Sequence, residues 1–165
     1  MDFLIRPYQP SDALAVREII NDSILHTSHN YDYHPKSLDE VEVLFSEKIR
    51  DGFPVLVAEA KGEVVGYATY GKFRAKPGYS QTLEHSIYLN EKAQGKGLGS
   101  EMMHQLIEIA KEQGYHMMIA GMDSDNVGSY HFHERLGFRE TARMPEVSFK
   151  FGKWLTLVFM QLKLS

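Results

Sequence analysis

Three glycines alternate with other residues in Gln94-Gly95-Lys96-Gly97-Leu98-Gly99-Ser100. The segment before this stretch has the period of a strand, and the segment after it has the period of a helix. Glycine has no Cβ, so the backbone can turn sharply there and successive N–H groups can point into one concavity. A helix beginning at Leu98 or Gly99 adds unpaired N–H groups and the positive end of its dipole. Together with the charge of Lys96 these features suit a phosphate group. The same glycines also suit a tight strand-to-helix turn with no ligand. Two nucleotide motifs are excluded by spacing. A Walker A loop needs Lys-Ser/Thr after its last glycine, and Gly99 is followed by Ser100-Glu101. A dinucleotide fingerprint needs its third glycine three positions after its second, where Gly99 is only two after Gly97.

The bulk of the chain limits what surrounds this loop. Its 165 residues predict a single domain, 1–165, and 43% hydrophobic residues can fill a core. A net charge of -4 argues against a nucleic-acid or membrane-surface partner, which needs a basic face. There is no cysteine, so thiolate metal sites and cysteine nucleophiles are excluded. No apolar run approaches the roughly 20 residues that span a bilayer. The start, Met1–Pro7, lacks the pattern of a signal peptide. A cytoplasmic protein is the expectation.

In chain order, Phe3–Arg6 reads as a strand, and Ser11 can cap a helix carrying Leu14, Val16, Ile19, Ile20 and Ile24. His26–Pro35 is a polar, aromatic loop, either a substrate-facing rim or plain surface. Its histidines lack the spacing of a metal site. Ser37-Leu38-Asp39-Glu40 is a capping box before a helix that stops near Gly52. Pro54–Ala60 and Val64–Tyr70 form a hairpin about Lys61-Gly62-Glu63. After a loop with Phe73, Arg74 and Tyr79, Thr82–Leu89 alternates as a central strand. A helix follows over Leu98–Gln113, then a strand over Tyr115–Met122 and a helix from Asn126 to Leu136. Phe138–Arg143 and Trp154–Lys163 are the last strands, joined by a loop around Pro145. The order β-α-α-β-β-β-α-β-α-β-β predicts an α+β fold, a mixed sheet with helices on both faces.

Four spaced motifs now stand together: Gln94-x-x-Gly97-x-Gly99; Asn126-x-x-Ser129-x-x-x-His133-Glu134-x-x-Gly137-Phe138; Thr82-x-Glu84-His85-Ser86-Ile87-Tyr88-Leu89; and Phe151-Gly152-Lys153-Trp154 with the strand after it. In this order they resemble the GCN5-related N-acetyltransferases, and within them the phosphinothricin and methionine sulfoximine N-acetyltransferase branch. The resemblance covers nearly the whole chain. Two positions depart from or vary within the branch pattern: Thr156, where the branch often has Asp, and His85.

The resemblance implies a GNAT fold, with a mostly antiparallel mixed sheet, and acetyl-CoA as co-substrate with no metal. It implies a homodimer and a small-molecule amine substrate. The expected acceptor is the α-amine of an amino acid analogue such as phosphinothricin or methionine sulfoximine. On this pattern Gln94, Gly95, Lys96, Gly97, Leu98, Gly99 and Ser100 cradle the pyrophosphate. Backbone groups of Ile87, Tyr88 and Leu89 meet the pantetheine arm and the thioester, and Asn126 and Ser129 lie along it. Glu84 is the expected base, because burial raises a carboxylate into a useful range. His133 stands where many relatives have the tyrosine that protonates the thiolate. Phe73, Arg74 and Tyr79, with Glu84, would face the acceptor, since a guanidinium binds a carboxylate or phosphinate in bidentate fashion. The competing readings are a non-catalytic CoA- or nucleotide-binding module, and an acetyltransferase for another amine such as a polyamine.

Overall fold

The computed structural model describes residues 2–165. Among them run β1 (Phe3–Pro7), α1 (Ala13–His26), α2 (Leu38–Arg50), β2 (Val55–Ala60), β3 (Glu63–Lys72), β4 (Thr82–Leu89), α3 (Leu98–Glu112), β5 (Met117–Asp123), α4 (Val127–Arg135), β6 (Arg139–Lys150) and β7 (Lys153–Lys163). The strands form one seven-stranded sheet in the order β1-β2-β3-β4-β5-β7-β6. Only β4 and β5 pair in parallel, because α3 carries the chain back between them. The other neighbours are antiparallel.

Strand alternation divides the core between the two faces of this sheet. Leu83 and Met118 meet Met102, Met103 and Leu106 of α3 on one face. Val57 and Tyr67 meet Val16, Ile20 and Ile24 of α1 and Val41 and Phe45 of α2 on the other. Burying a side chain such as Phe45 stabilises by about 1.5–3 kcal/mol, so these stripes dock the helices. The predicted capping box starts α2: Ser37 Oγ accepts from the Glu40 N–H at 3.1 Å, and Glu40 Oε1 accepts from the Ser37 N–H at 3.2 Å.

Two expectations are corrected. Ser11 does not cap α1. Asp12 stands at the N-cap of α1 but makes no side-chain bond to the helix; its carboxylate accepts instead from the Gln9 N–H at 2.7 Å and from Arg6 at 2.8 and 2.9 Å. The segment around Pro145 is not a loop but a bulge inside β6. Register against β7 shifts once between Glu140 and Ala142 and again between Met144 and Ser148, where pairing resumes. Proline has no N–H for a ladder, and an edge strand can absorb it in a bulge.

Candidate active site

The site begins where the sheet opens. β4 pairs with β5 only from Thr82–Glu84 against Met117–Ile119. Beyond Glu84, β4 still pairs with β3 out to Leu89, but its other edge is free. A cavity of about 1490 Å³ follows this opening, with Ile87, Leu89, Gly97, Asn126, Ser129 and His133 in its walls.

One end of the cavity is the glycine loop. Gly95 and Gly97 take φ of +73° and +80°, in the left-handed region that favours glycine. Gly97 is the residue from which α3 starts. A Cβ placed on it would meet nothing within 4 Å, so the space over the loop is open. The N–H groups of the first α3 turn have no acceptor within the helix. Gln94 Nε2 donates to the Leu89 carbonyl at 3.3 Å and ties the loop to β4. An open concavity at a helix N-terminus fits a pyrophosphate. Gln94, Gly95, Gly97, Gly99 and Ser100 line it, while Lys96 is exposed and the Leu98 side chain lies in the core, leaving only its backbone to the loop.

α4 makes the facing wall. Asn126 Oδ1 accepts from the Ser129 N–H at 3.2 Å, so Asn126 caps the helix as expected. One turn further, His133 is buried with both ring nitrogens occupied. Its Nδ1 is 2.8 Å from the Ser129 carbonyl, and its Nε2 is 3.0 Å from Nε2 of His85. Burial pushes both imidazoles below their ordinary pKa, His85 far below.

Glu84 lies on the opposite face of β4 from His85. Burial raises its carboxyl above the usual carboxylate range, and the charge of Arg74 pulls it back down. The Arg74 guanidinium sits 4.3 Å from the centre of the Phe73 ring. Phe73 in turn meets Tyr79 and Phe159 edge-on, each at 5.8 Å. These residues lie on the Glu84 side and do not line the large cavity. Tyr88 turns its ring into the core, stacked on Tyr67 at 5.6 Å, which leaves its backbone for the cleft. Burial pushes its hydroxyl up to about 12.

Several residues here had no motif to announce them. The loop between α1 and α2 folds over the end of the sheet. Its Tyr31 hydroxyl lies 3.2 Å from Asp123 Oδ1, and Ser28 Oγ lies 3.4 Å from Oδ2 of the same carboxylate. The Tyr33 hydroxyl donates to the Phe149 carbonyl, and Lys150 donates to the Asn30 carbonyl. Thr27 and His29 of this loop line the cavity, so part of it forms the rim. Among the described residues no three His, Asp or Glu side chains converge as metal ligands. Phe159 and Gly121 were also missed. The one available signal was a glycine inside a strand, which marks a close approach.

A split parallel pair, a glycine loop opening a helix and a half-buried carboxylate on the split strand define an acyl-CoA-dependent acyltransferase. Comparison agrees: residues 16–138 match the Acetyltransferase (GNAT) family, and the chain belongs to that family. It is 42% identical over 160 residues to the L-amino acid N-acyltransferase MnaT of Escherichia coli K12, covering 97% of this chain and 93% of that one. It is equally 42% identical over 160 residues to an L-methionine sulfoximine/L-methionine sulfone acetyltransferase of Salmonella typhimurium, covering 97% and 94%. The structure of a phosphinothricin acetyltransferase from Sinorhizobium meliloti, solved in complex with acetyl-CoA, superposes with a TM-score of 0.96 at 33% identity. That match covers 100% of this chain and 90% of the other.

Proposed function

We propose that the chain, acting as a single domain over residues 1–165, acetylates the α-amine of a small amino acid analogue with acetyl-CoA. Methionine sulfoximine and phosphinothricin are the acceptors to which the relatives point. The observation that supports this best is Glu84: a carboxylate with a raised pKa, at the last paired residue before the sheet splits, with Arg74 near enough to lower that pKa. Bound in the cleft, acetyl-CoA supplies an activated thioester carbonyl.

Each residue has a role in this reading. The loop from Gln94 to Ser100 holds the pyrophosphate by backbone N–H groups. The free edge of β4 at Ile87, Tyr88 and Leu89 pairs with the pantetheine arm as an added strand would. A backbone N–H there polarises the thioester carbonyl. Glu84 accepts the ammonium proton, directly or through a water, so that the amine can attack. Arg74 fixes the acceptor's carboxylate, with Phe73 and Tyr79 beside it. Asn126 and Ser129 border the pantetheine arm. His133 forms the wall beside the thiol. As a neutral ring with both nitrogens engaged it holds no spare N–H, so the thiolate takes its proton from solvent.

The reading extends to a cytoplasmic homodimer. The dimer is supported by Val147, Phe149, Phe151 and Trp154 of the β6–β7 hairpin, which are 53%, 44%, 60% and 63% exposed. No helix of the described residues is long and apolar enough to cross a membrane.

The test is thiol release from acetyl-CoA with methionine sulfoximine, phosphinothricin, alanine and a polyamine. Turnover with the amino acid analogues is expected. Acetyl-CoA binding without turnover on any amine would mean a binding module instead. Preference for the polyamine would leave the family standing and sink the acceptor class.

A further inference from the structure

β5 is an internal strand, and six of its seven residues are buried or half-buried. Gly121 alone is exposed. It lies two residues past Ile119, the last β5 residue paired with β4, and so on the face that Glu84 shares. Its φ is not positive, so the backbone does not demand glycine there. Space does. A Cβ at this position would stand 3.1 Å from Glu84 Oε2 and 3.3 and 3.6 Å from two ring carbons of Phe159, its cross-strand partner on β7. The carboxylate of Glu84 and the Phe159 ring both occupy room that any other residue would fill.

This makes a continuous wall. The Phe159 ring rests on Gly121 and meets Phe73 edge-on, and Phe73 carries the Arg74 guanidinium. An aromatic ring laid over a strand glycine can be plain sheet stabilisation. Here the glycine remains exposed beside the ring, so the surface is open to a ligand. Glu84 takes the amine at one end and Arg74 the carboxylate at another, which leaves this flat floor to the acceptor's side chain.

We propose that Gly121 is a specificity-determining residue of the acceptor site. With no side chain, it lets Phe159 lie down and gives the Glu84 carboxylate its seat, and so admits amino acids with a long unbranched side chain. This rests on the amino acid reading above. A methyl at 121 would lift the ring into that room and favour short acceptors.

The experiment measures kcat and KM for wild type, Gly121→Ala and Phe159→Leu with methionine sulfoximine and with alanine, at saturating acetyl-CoA. Gly121→Ala should lower the kcat/KM ratio of methionine sulfoximine to alanine by at least about tenfold, mainly through KM, since one misplaced methylene in a pocket is worth roughly ten- to two-hundredfold. The KM for acetyl-CoA should stay the same. Phe159→Leu, which removes the flat ring, should lower the same ratio, and it decides the matter if Gly121→Ala fails to fold. An unchanged ratio in the folded variants overturns the inference while the amino acid reading stands. A wild type inactive on both amino acids overturns that reading, and this inference with it.

Discussion

The Nε2 atoms of His85 on β4 and His133 on α4 lie 3.0 Å apart, with their rings stacked at 22° and Phe138 edge-on to both. Their protons can be assigned from their neighbours. The Ser129 carbonyl can only accept, so Nδ1 of His133 carries a hydrogen toward it. In a neutral ring the His133 Nε2 is then a lone pair, and His85 Nε2 must donate to it. That leaves His85 Nδ1 as a buried lone pair, and it has no partner. Adding a proton to the His133 Nε2 lone pair breaks the link between strand and helix.

The pair should therefore make stability depend on pH. Both rings have folded pKa values below the ordinary 6.5, so the unfolded chain binds protons that the folded chain does not. Their contribution is intact above pH 6.5 and is lost as pH falls below it. Urea unfolding between pH 7.5 and 5 should show His85→Leu with a slope shallower by up to about 1.4 kcal/mol per pH unit. An equal slope would mean the rings titrate normally. Between pH 6.5 and 8, kcat should show no loss of the kind a protonated His133 acid would impose.

Much of this was legible in the sequence, for local reasons. The glycine loop, the capping box and the alternation of Thr82–Leu89 are set by neighbouring residues, and each stands where expected. What was not legible depends on register. That Phe159 stands opposite Gly121, or that Tyr31 reaches Asp123, follows from pairings across 38 and 92 positions that no local pattern encodes. The His85–His133 bond spans 48 positions, so no local pattern showed that the ring expected as a general acid has a buried partner. The bulge at Pro145 was missed because a proline usually ends a strand, and only an edge position makes it tolerable.

Gly97→Glu should abolish acetyl-CoA binding and leave the fold in place. No protein atom lies within 4 Å of the new Cβ, so nothing in the protein is displaced. The left-handed φ of +80° costs about 1–2 kcal/mol for a non-glycine residue. The carboxylate would fill and repel the space over the α3 N-terminus. Calorimetric titration with acetyl-CoA beside a melting curve checks both parts. Unchanged affinity would reduce the loop to a turn.

Arg74→Ala should raise the acceptor's KM by roughly ten- to hundredfold, the range for a lost charge-assisted bond of about 1.5–3 kcal/mol. The KM for acetyl-CoA should not move, because Arg74 does not line the large cavity. A second readout is electrostatic. Arg74 lowers the Glu84 pKa, so its loss should shift the acid limb of kcat/KM to higher pH. Methionine sulfoximine, phosphinothricin and a polyamine are the acceptors to compare. If all their constants stay the same, Arg74 is a solvated loop residue.

Glu84→Gln should be less active and more stable. Burial raises the folded pKa of Glu84, so the folded chain holds this proton more tightly than the unfolded chain. For a carboxyl the sign is then negative: its contribution falls as pH rises through the carboxylate range, and at pH 7 the buried charge costs stability. Glutamine keeps the shape and removes the charge, so the melting temperature at pH 7 should rise, and the gain should vanish at a pH where the carboxyl is protonated in both states. Activity should move the other way. Without a base the acceptor must lose its proton to solvent, and kcat should drop by about 10²–10⁴-fold, the range for a lost general base. The acid limb of the pH profile should disappear with it, and activity should recover in part toward high pH, where the free amine is abundant. A stable, fully active Glu84→Gln with an unchanged acid limb would assign the base to another residue.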